Sequence, residues 1–269
     1  MSMTVLRSMR TAIAGSGATA RLAMTMPPSD YLQVALTVGL RVLTFGVLVG
    51  VWTSIPVAQL EASGTTLPAI LTYTAVAQAL GPLLAPRTTL ADHIANGSIA
   101  VRLLWPMSTI SQFVSEWAGL VLPNVALGVL GVGAAAWALG IDILPNGNIP
   151  IVILSILLAI TVGIAVDFAF ALLTVRLNNG IWFVNSIRAA TTSLISGSLI
   201  PLSIMPWHIG EVLAALPFAA MAFAPLQVYV GAGDPVYWLL VQGSWALVLW
   251  VALFFWARSS RDDVVTAGG

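Results

Sequence analysis

The sequence contains no cysteine and no lysine; all ten of its basic residues are arginine. Without cysteine there are no disulfides, no thiolate metal sites and no cysteine nucleophile. Without lysine there is no Walker A loop, because that loop needs a lysine to reach the β- and γ-phosphates, so the chain does not bind ATP in the P-loop manner. Schiff-base chemistry is excluded for the same reason. Charge is almost as scarce. Only 7% of residues are charged, against roughly 25% in soluble domains. So few charges cannot cover a water-facing surface, whereas a lipid-facing surface needs none. The formal net charge is zero, which gives no reason to expect a nucleic-acid partner. The two histidines, His93 and His208, fall in loops expected on opposite sides of a membrane and cannot share a metal or a haem.

What is present is apolar. Of 269 residues 59% are hydrophobic, and the mean hydropathy is +0.98. The fold class that follows is all-α, a polytopic membrane protein with about six transmembrane helices and no segment polar enough to form a separate soluble domain. Residues 1–30 read as an N-terminal cytoplasmic interfacial segment. The stretch Met1–Met26 carries Arg7, Arg10 and Arg21, has no acid, and lacks the apolar run of a signal sequence. A transit peptide would share these features. The membrane body, residues 31–257, contains expected spans at about 31–52, 67–84, 117–139, 149–175, 181–201 and 237–257. The apolar region from Ile110 is too long for one upright span and is expected to begin as an interfacial or tilted segment near Glu116. Residues 258–269 form a polar tail.

Arginine placement sets the orientation. With the N-terminus inside, Arg7, Arg10, Arg21, Arg87, Arg102, Arg176, Arg258 and Arg261 all fall on the cytoplasmic side and none on the outer side. Both termini are therefore expected in the cytoplasm of a cell-membrane protein.

The stretch Leu202–Asp234 is apolar but broken by Pro206, Pro217, Pro225 and several glycines. A continuous helix would lose backbone hydrogen bonds at each proline. Two short re-entrant helices dipping into the outer leaflet before the sixth span fit this pattern; a loop resting on the outer surface is the alternative.

Arg41, Glu116, Asp167 and Arg188 are charges placed within or beside spans, where each costs roughly 2.5 kcal/mol or more on insertion scales. Asp167 and Arg188 flank the Asn178-Asn179 turn at similar distances, so antiparallel neighbours would set them at one level. Arg41 lies at a similar depth and Glu116 somewhat shallower. The four form either a structural ion-pair layer or a charged element in a transport path. Gly128, Gly131, Gly133 and Ala135 supply small residues for close helix approach, within the chain or between chains, and Gly197 does so further on. Trp52, Trp105, Trp182, Trp207, Trp238 and Trp256 lie near expected interfaces, as in an aromatic belt. In the cytoplasmic stretch Arg87–Pro106, the apolar residues Leu90, Ile94, Ile99, Leu103 and Leu104 can line one face of a short helical pair interrupted by Gly97. Such an element suits docking on a partner or lying on the membrane surface.

The order of these features resembles the permease subunits of ABC-2-type ABC transporters. LADHIANGSIAVRLLWP is similar to that family's cytoplasmic element between spans two and three. SGSLIPLSIMP and LPFAAMAFAPLQVYVG are similar to its broken outer segment, and RDDVVTAGG to its short tail. Trp105 departs from the pattern, since relatives often carry a basic residue before the proline. The resemblance implies that Asp92, Ile94, Gly97, Ile99, Arg102, Leu103, Leu104 and Pro106 belong to a coupling helix region. Two copies of a separate ATPase subunit would carry ATP and magnesium, with no cofactor on this chain. A second permease chain, the same or homologous, would help enclose the path, lined by residues such as Arg41, Asn185 and Arg188. Pro201, Pro206, Trp207, Pro217, Phe218 and Pro225 would belong to an outer gate. The usual direction is export, and the apolar spans point to an amphiphilic drug, lipid, glycoconjugate or peptide. A self-contained secondary transporter would need internal repeats and a polar midplane site. A membrane enzyme would need a dense interfacial cluster of His, Asp or Glu. Neither pattern is evident.

Overall fold

The computed structural model of the chain describes residues 15–24, 28–105, 107–177 and 180–259, and among these every regular element is helical. Residues 15–24 lie in α1. Next come α2 (Pro28–Ser54), α3 (Val57–Ala62), α4 (Leu67–Leu84), α5 (Leu90–Ala95), α6 (Ile99–Leu103), α7 (Thr109–Ala138) and α8 (Ile149–Arg176). Then follow α9 (Ile181–Leu194), a 3-10 turn (Leu202–Ile204), α10 (Ile209–Ala214), α11 (Pro217–Met221), α12 (Phe223–Val230) and α13 (Pro235–Ser259). The C-terminal tail after Ser259, the Asn178-Asn179 turn, Arg7 and Arg10 lie outside the described residues.

Five helical stretches are long and apolar enough to cross a membrane: Leu32–Ser54, Leu67–Leu84, Thr109–Ala138, Ile149–Thr174 and Pro235–Trp256. Their residues are mostly Leu, Val, Ala and Ile, and a helix satisfies its backbone internally where no water can. The polar residues between them start the helices. The Thr66 hydroxyl caps α4 by accepting from Ala69 N–H (3.4 Å), and the Ser108 hydroxyl caps α7 by accepting from Ser111 N–H (3.1 Å).

Three stretches differ from the sequence expectation. First, α7 is one unbroken 30-residue helix, about 45 Å long, against a hydrocarbon thickness of about 30 Å. Glu116 therefore sits on an extension of the same helix, not on a separate interfacial segment. Second, α9 is only 14 residues long, shorter than the expected 181–201. The chain turns at Gly197, whose φ is +79°, a conformation that suits glycine. A Cβ there would also press on Leu202 and Phe223 at 3.0 and 3.1 Å. Third, the proline-broken segment before α13 holds three short helices, α10 to α12, where two were expected.

Helix α8 is the hub, packing against α13, α4, α5, α9, α11 and α12, while α2, α4 and α7 form a second group. Gly128 and Gly131 serve this packing within the chain. A Cβ on Gly128 would lie 2.9 Å from the Ala79 carbonyl oxygen on α4, and one on Gly131 would lie 2.9 Å from Val38 on α2. The proline-broken segment is built into the core: Ala219, Ala222, Phe223, Ala224, Leu226 and Val228 are buried with Tyr73, Val152 and Trp238, and Ala220 and Met221 with Val162, Val166 and Ala246. Trp52 and Trp238 are core residues in place of belt residues. Trp52 Nε1 donates to the Thr74 hydroxyl (3.0 Å), and Trp238 meets Phe223 edge-on. Trp105, Trp182 and Trp207 are exposed.

Candidate functional site

The site grows from the segment joining α4 to α5. Pro86 seats against Gly163 of α8, where a Cβ would collide with the proline ring. The Pro86 carbonyl accepts from Arg188 Nη1 on α9 (2.9 Å). Two residues on, Thr88 donates to Asp167 Oδ2 on α8 through both its N–H (2.8 Å) and its hydroxyl (2.6 Å). Asp167 Oδ1 lies 3.0 Å from Arg188 Nη1, and both side chains are nearly inaccessible. One buried carboxylate and one buried guanidinium thus neutralise each other, and both bond to the same short loop. Charge-assisted bonds of this kind are the stronger class.

Beyond this clasp, α5 and α6 form the helical pair read from the sequence, turning at Gly97 with φ +74°. Its apolar residues part company. Leu90, Ile94 and Ile99 face inward and are buried with Phe113 and Phe168. Leu103 and Leu104 face out, with Leu104 84% exposed, alongside exposed Val101 and Trp105. The expected single apolar face is therefore two faces, one holding the element to the bundle and one left uncovered. Pro106 lies outside the described residues. Asp92 is half-buried, 3.9 Å from Arg87.

A second polar cluster ties α6 to α7. Arg102 Nη2 donates to Glu116 Oε2 (2.8 Å), and Arg102 Nε donates to His93 Nε2 (3.1 Å). The guanidinium also lies over the Trp105 and Phe113 rings, at 4.9 and 5.5 Å from their centroids. Glu116 Oε1 accepts from the Thr89 hydroxyl (3.2 Å), and Gln112 Nε2 donates to the carbonyls of Arg102 (3.0 Å) and Met107 (2.9 Å). Burial, and next the positive charge of Arg102, lower the His93 pKa from its ordinary value against the opposing pull of Glu116 and Asp92. Helix α1 lies on the same end of α7, close enough that a Cβ on Gly119 would collide with the Ala20 carbonyl. Between α1, α6 and α7 is an open cavity of about 350 Å³, with Arg102, Trp105 and Glu116 in its wall.

The four charges expected in one layer separate into three places. Asp167 pairs with Arg188, and Glu116 pairs with Arg102. Arg41 has no carboxylate within ion-pair distance among the described residues; its Nη1 lies 3.5 Å from the Asn124 carbonyl oxygen. The reason is the length of α7, which carries Glu116 a full two turns away from Asn124. Asn185 is half-buried on α9. Among the residues expected in an outer gate, Pro201 and Pro225 are buried, Pro217 and Phe218 half-buried, and Pro206 and Trp207 exposed. Trp207 and His208 both have positive φ, 57° and 58°.

The sequence reading missed Thr88, Gly163 and the buried amide of Gln242. Gln242 accepts from the Ser155 hydroxyl (2.8 Å) and donates to the carbonyls of Ser155 (3.0 Å) and Ala220 (2.9 Å), so that α13, α8 and α11 meet at one side chain. Its signal was available, since it is the one carboxamide in a 25-residue apolar helix.

A bundle of apolar spanning helices, with a small helical pair clasped to one end by two charge clusters, defines a multi-pass membrane protein built to hold an end element rigidly. The family described as ABC-2 family transporter protein matches residues 42–263, most of the chain, and the chain belongs to that family of membrane permeases. Among curated proteins and solved structures nothing matches the chain significantly.

Proposed function

We propose that this chain is the membrane subunit of an ATP-driven exporter, energised by ATPase subunits on separate chains. The observation that carries this reading is the state of the α5–α6 pair, anchored on its inner side and bare on its outer side. Thr88, Pro86 and the Asp167–Arg188 pair fix one half to α8 and α9, and Arg102–Glu116 fixes the other half to α7. Exposed Val101, Leu104 and Trp105 then offer an apolar contact for a groove on an ATPase. Asp92, Gly97, Ile99 and Leu103 belong to the same coupling element, which lies in the cytoplasm with both termini. Two ATPase copies would supply ATP and magnesium, and a second permease chain would complete the path for an amphiphile.

The family resemblance and the arginine distribution support six crossings. The short α9 rises about 21 Å over its 14 residues, and residues 195–204 complete the fifth crossing. Irregular backbone at membrane depth is tolerated where protein covers it. Here Ser196 and Leu202 are buried, and the Gly197 carbonyl accepts from the Tyr73 hydroxyl (2.6 Å). The outer gate is then the exposed tip at Pro206 and Trp207, with Pro201, Pro217, Phe218 and Pro225 as its fixed base.

The test is a mild-detergent pull-down of the full chain from its native membrane, with mass spectrometry of the proteins that accompany it. A co-purifying soluble subunit with a Walker A loop is the expected result. A chain that purifies alone and moves substrate into liposomes without ATP overturns the reading in favour of a self-contained carrier.

A further inference from the structure

Among the described residues, Arg41 is a charge within a span that has no carboxylate within ion-pair distance. It lies nine residues after Leu32, the start of the first spanning stretch, so about 14 Å into the bilayer and near its midplane. Glu116, Asp167, Arg102 and Arg188 are consumed in their own pairs. Among the described residues Arg41 makes one hydrogen bond, the 3.5 Å contact to the Asn124 carbonyl, and it is only half-buried. A guanidinium carries five N–H donors and stays charged at any working pH, so most of its hydrogen-bonding capacity is unused. Exposing such a group to lipid tails is costly, and intramembrane charges face a cavity or a partner. Its surroundings are shaped for it. Gly128 leaves the space beside Nη1, and a Cβ there would lie 3.2 Å away.

We propose that Arg41 is the headgroup site for an anionic amphiphile, a molecule with an apolar tail and an oxyanion head such as a phosphate ester. This assignment rests on the permease reading and names the substrate class for it. The planar guanidinium fits two oxygens of such a head at once. The low dielectric around it strengthens the pairing, and the tail runs along apolar α2. The same chemistry is offered by a transported phosphate amphiphile and by an anionic phospholipid of the surrounding membrane.

The experiment measures binding to the full chain in phosphatidylcholine nanodiscs by quenching of its tryptophan fluorescence. The probes are dodecyl phosphate, dodecyl maltoside and dodecyltrimethylammonium, each below its micelle concentration. Wild type is expected to bind dodecyl phosphate at least tenfold more tightly than the other two. Arg41→Gln is expected to erase that preference, and Arg41→Lys to retain part of it. Equal binding of the three probes by wild type overturns the proposal, as does an unchanged preference in Arg41→Gln. If Arg41→Gln does not fold, the wild-type and Arg41→Lys comparison still decides. Replacing part of the phosphatidylcholine with phosphatidylglycerol separates the two sources. Competition by that lipid for the dodecyl phosphate site assigns the site to a lipid headgroup, and undiminished binding assigns it to a transported amphiphile. An ATPase partner is not needed for this measurement, so failure to find one would overturn the permease reading without deciding the charge preference of Arg41.

Discussion

Replacing Asp167 by Asn keeps the shape of the side chain and one acceptor for Thr88, but removes the negative charge 3.0 Å from Arg188 Nη1. The guanidinium is then buried with the Pro86 carbonyl as its remaining polar partner from this site. Leaving one member of a buried pair uncompensated typically costs about 3–5 kcal/mol. The lower end applies, because Asn still accepts one of the two Thr88 bonds. Arg188→Gln leaves Asp167 with both Thr88 donors and should cost somewhat less, about 2 kcal/mol on the hydrogen-bond scale for charged groups. The double variant buries no unpaired charge, so its loss should stay near about 3 kcal/mol, well short of the sum. A coupling of that size is within the range seen for contacting residues. With shifts of about 2–4 °C per kcal/mol for a chain of this class of size, Asp167→Asn should melt about 6–12 °C below wild type. The double variant should melt no lower than the worse single one. Intrinsic tryptophan fluorescence during heating of the detergent-solubilised chain reports the transition. Strictly additive losses, or an Asp167→Asn variant that melts with wild type, would refute the claim that these two charges hold the clasp together.

Leu104→Asp changes an 84% exposed residue and should leave melting unchanged while lowering transport per ATP hydrolysed in the reconstituted complex; intact coupling would detach this surface from the ATPase. Gly163→Val places a side chain against Pro86 and should cost about 1–3 kcal/mol, read as an earlier melt. Gln242→Leu leaves the Ser155 and Ala220 carbonyls without their donor and should cost about 1–3 kcal/mol, with protease cutting at α11 as a second readout. His93 resists protonation in the fold because its pKa is lowered. Its contribution to stability is therefore present above the ordinary histidine range and is lost as pH falls through that range towards the folded value. Wild type should lose melting temperature between neutral and mildly acid pH more steeply than His93→Gln, and parallel curves would remove His93 from the account.

Long uniform segments were legible in the sequence. Spans such as Leu67–Leu84 and Ile149–Arg176 follow from apolar length and from the turn residues that bound them, and the structure keeps those limits closely. The α5–α6 pair was legible too, through Gly97. What escaped the reading depends on where helices sit relative to one another. Glu116 looked like part of a shared layer because it lies near the start of an apolar run, whereas α7 is one continuous 30-residue rod, longer than the hydrocarbon is thick. Trp52 and Trp238 looked like interface anchors because tryptophan near a span end usually is one. Burial of Trp52 requires the Thr74 hydroxyl on a neighbouring helix, which no local pattern announces. The end of α9 was missed because Ile195 to Leu202 is apolar enough to continue a span, and only the contact of Gly197 with Leu202 and Phe223 shows why the chain turns there. Of the candidate site, charged residues could be found one at a time, but their partners could not. Thr88 and Pro86 carry no signal of their own; they matter because α8 presents Asp167 and Gly163 on one face, four residues apart.

The notch at Gly163 gives α8 the character of a strut loaded at two points. Pro86 bears on it with no gap to close, and about 21 Å further along the axis its first turn leaves the 139–148 connection. There the N–H groups of Asn146 and Gly147 both donate to the Tyr229 carbonyl of α12. A stiff rod gripped in this way has no slack between its bearings. A push on the loop before α5 would bear directly on the middle of α8, whose N-terminal end adjoins the connection bonded to α12.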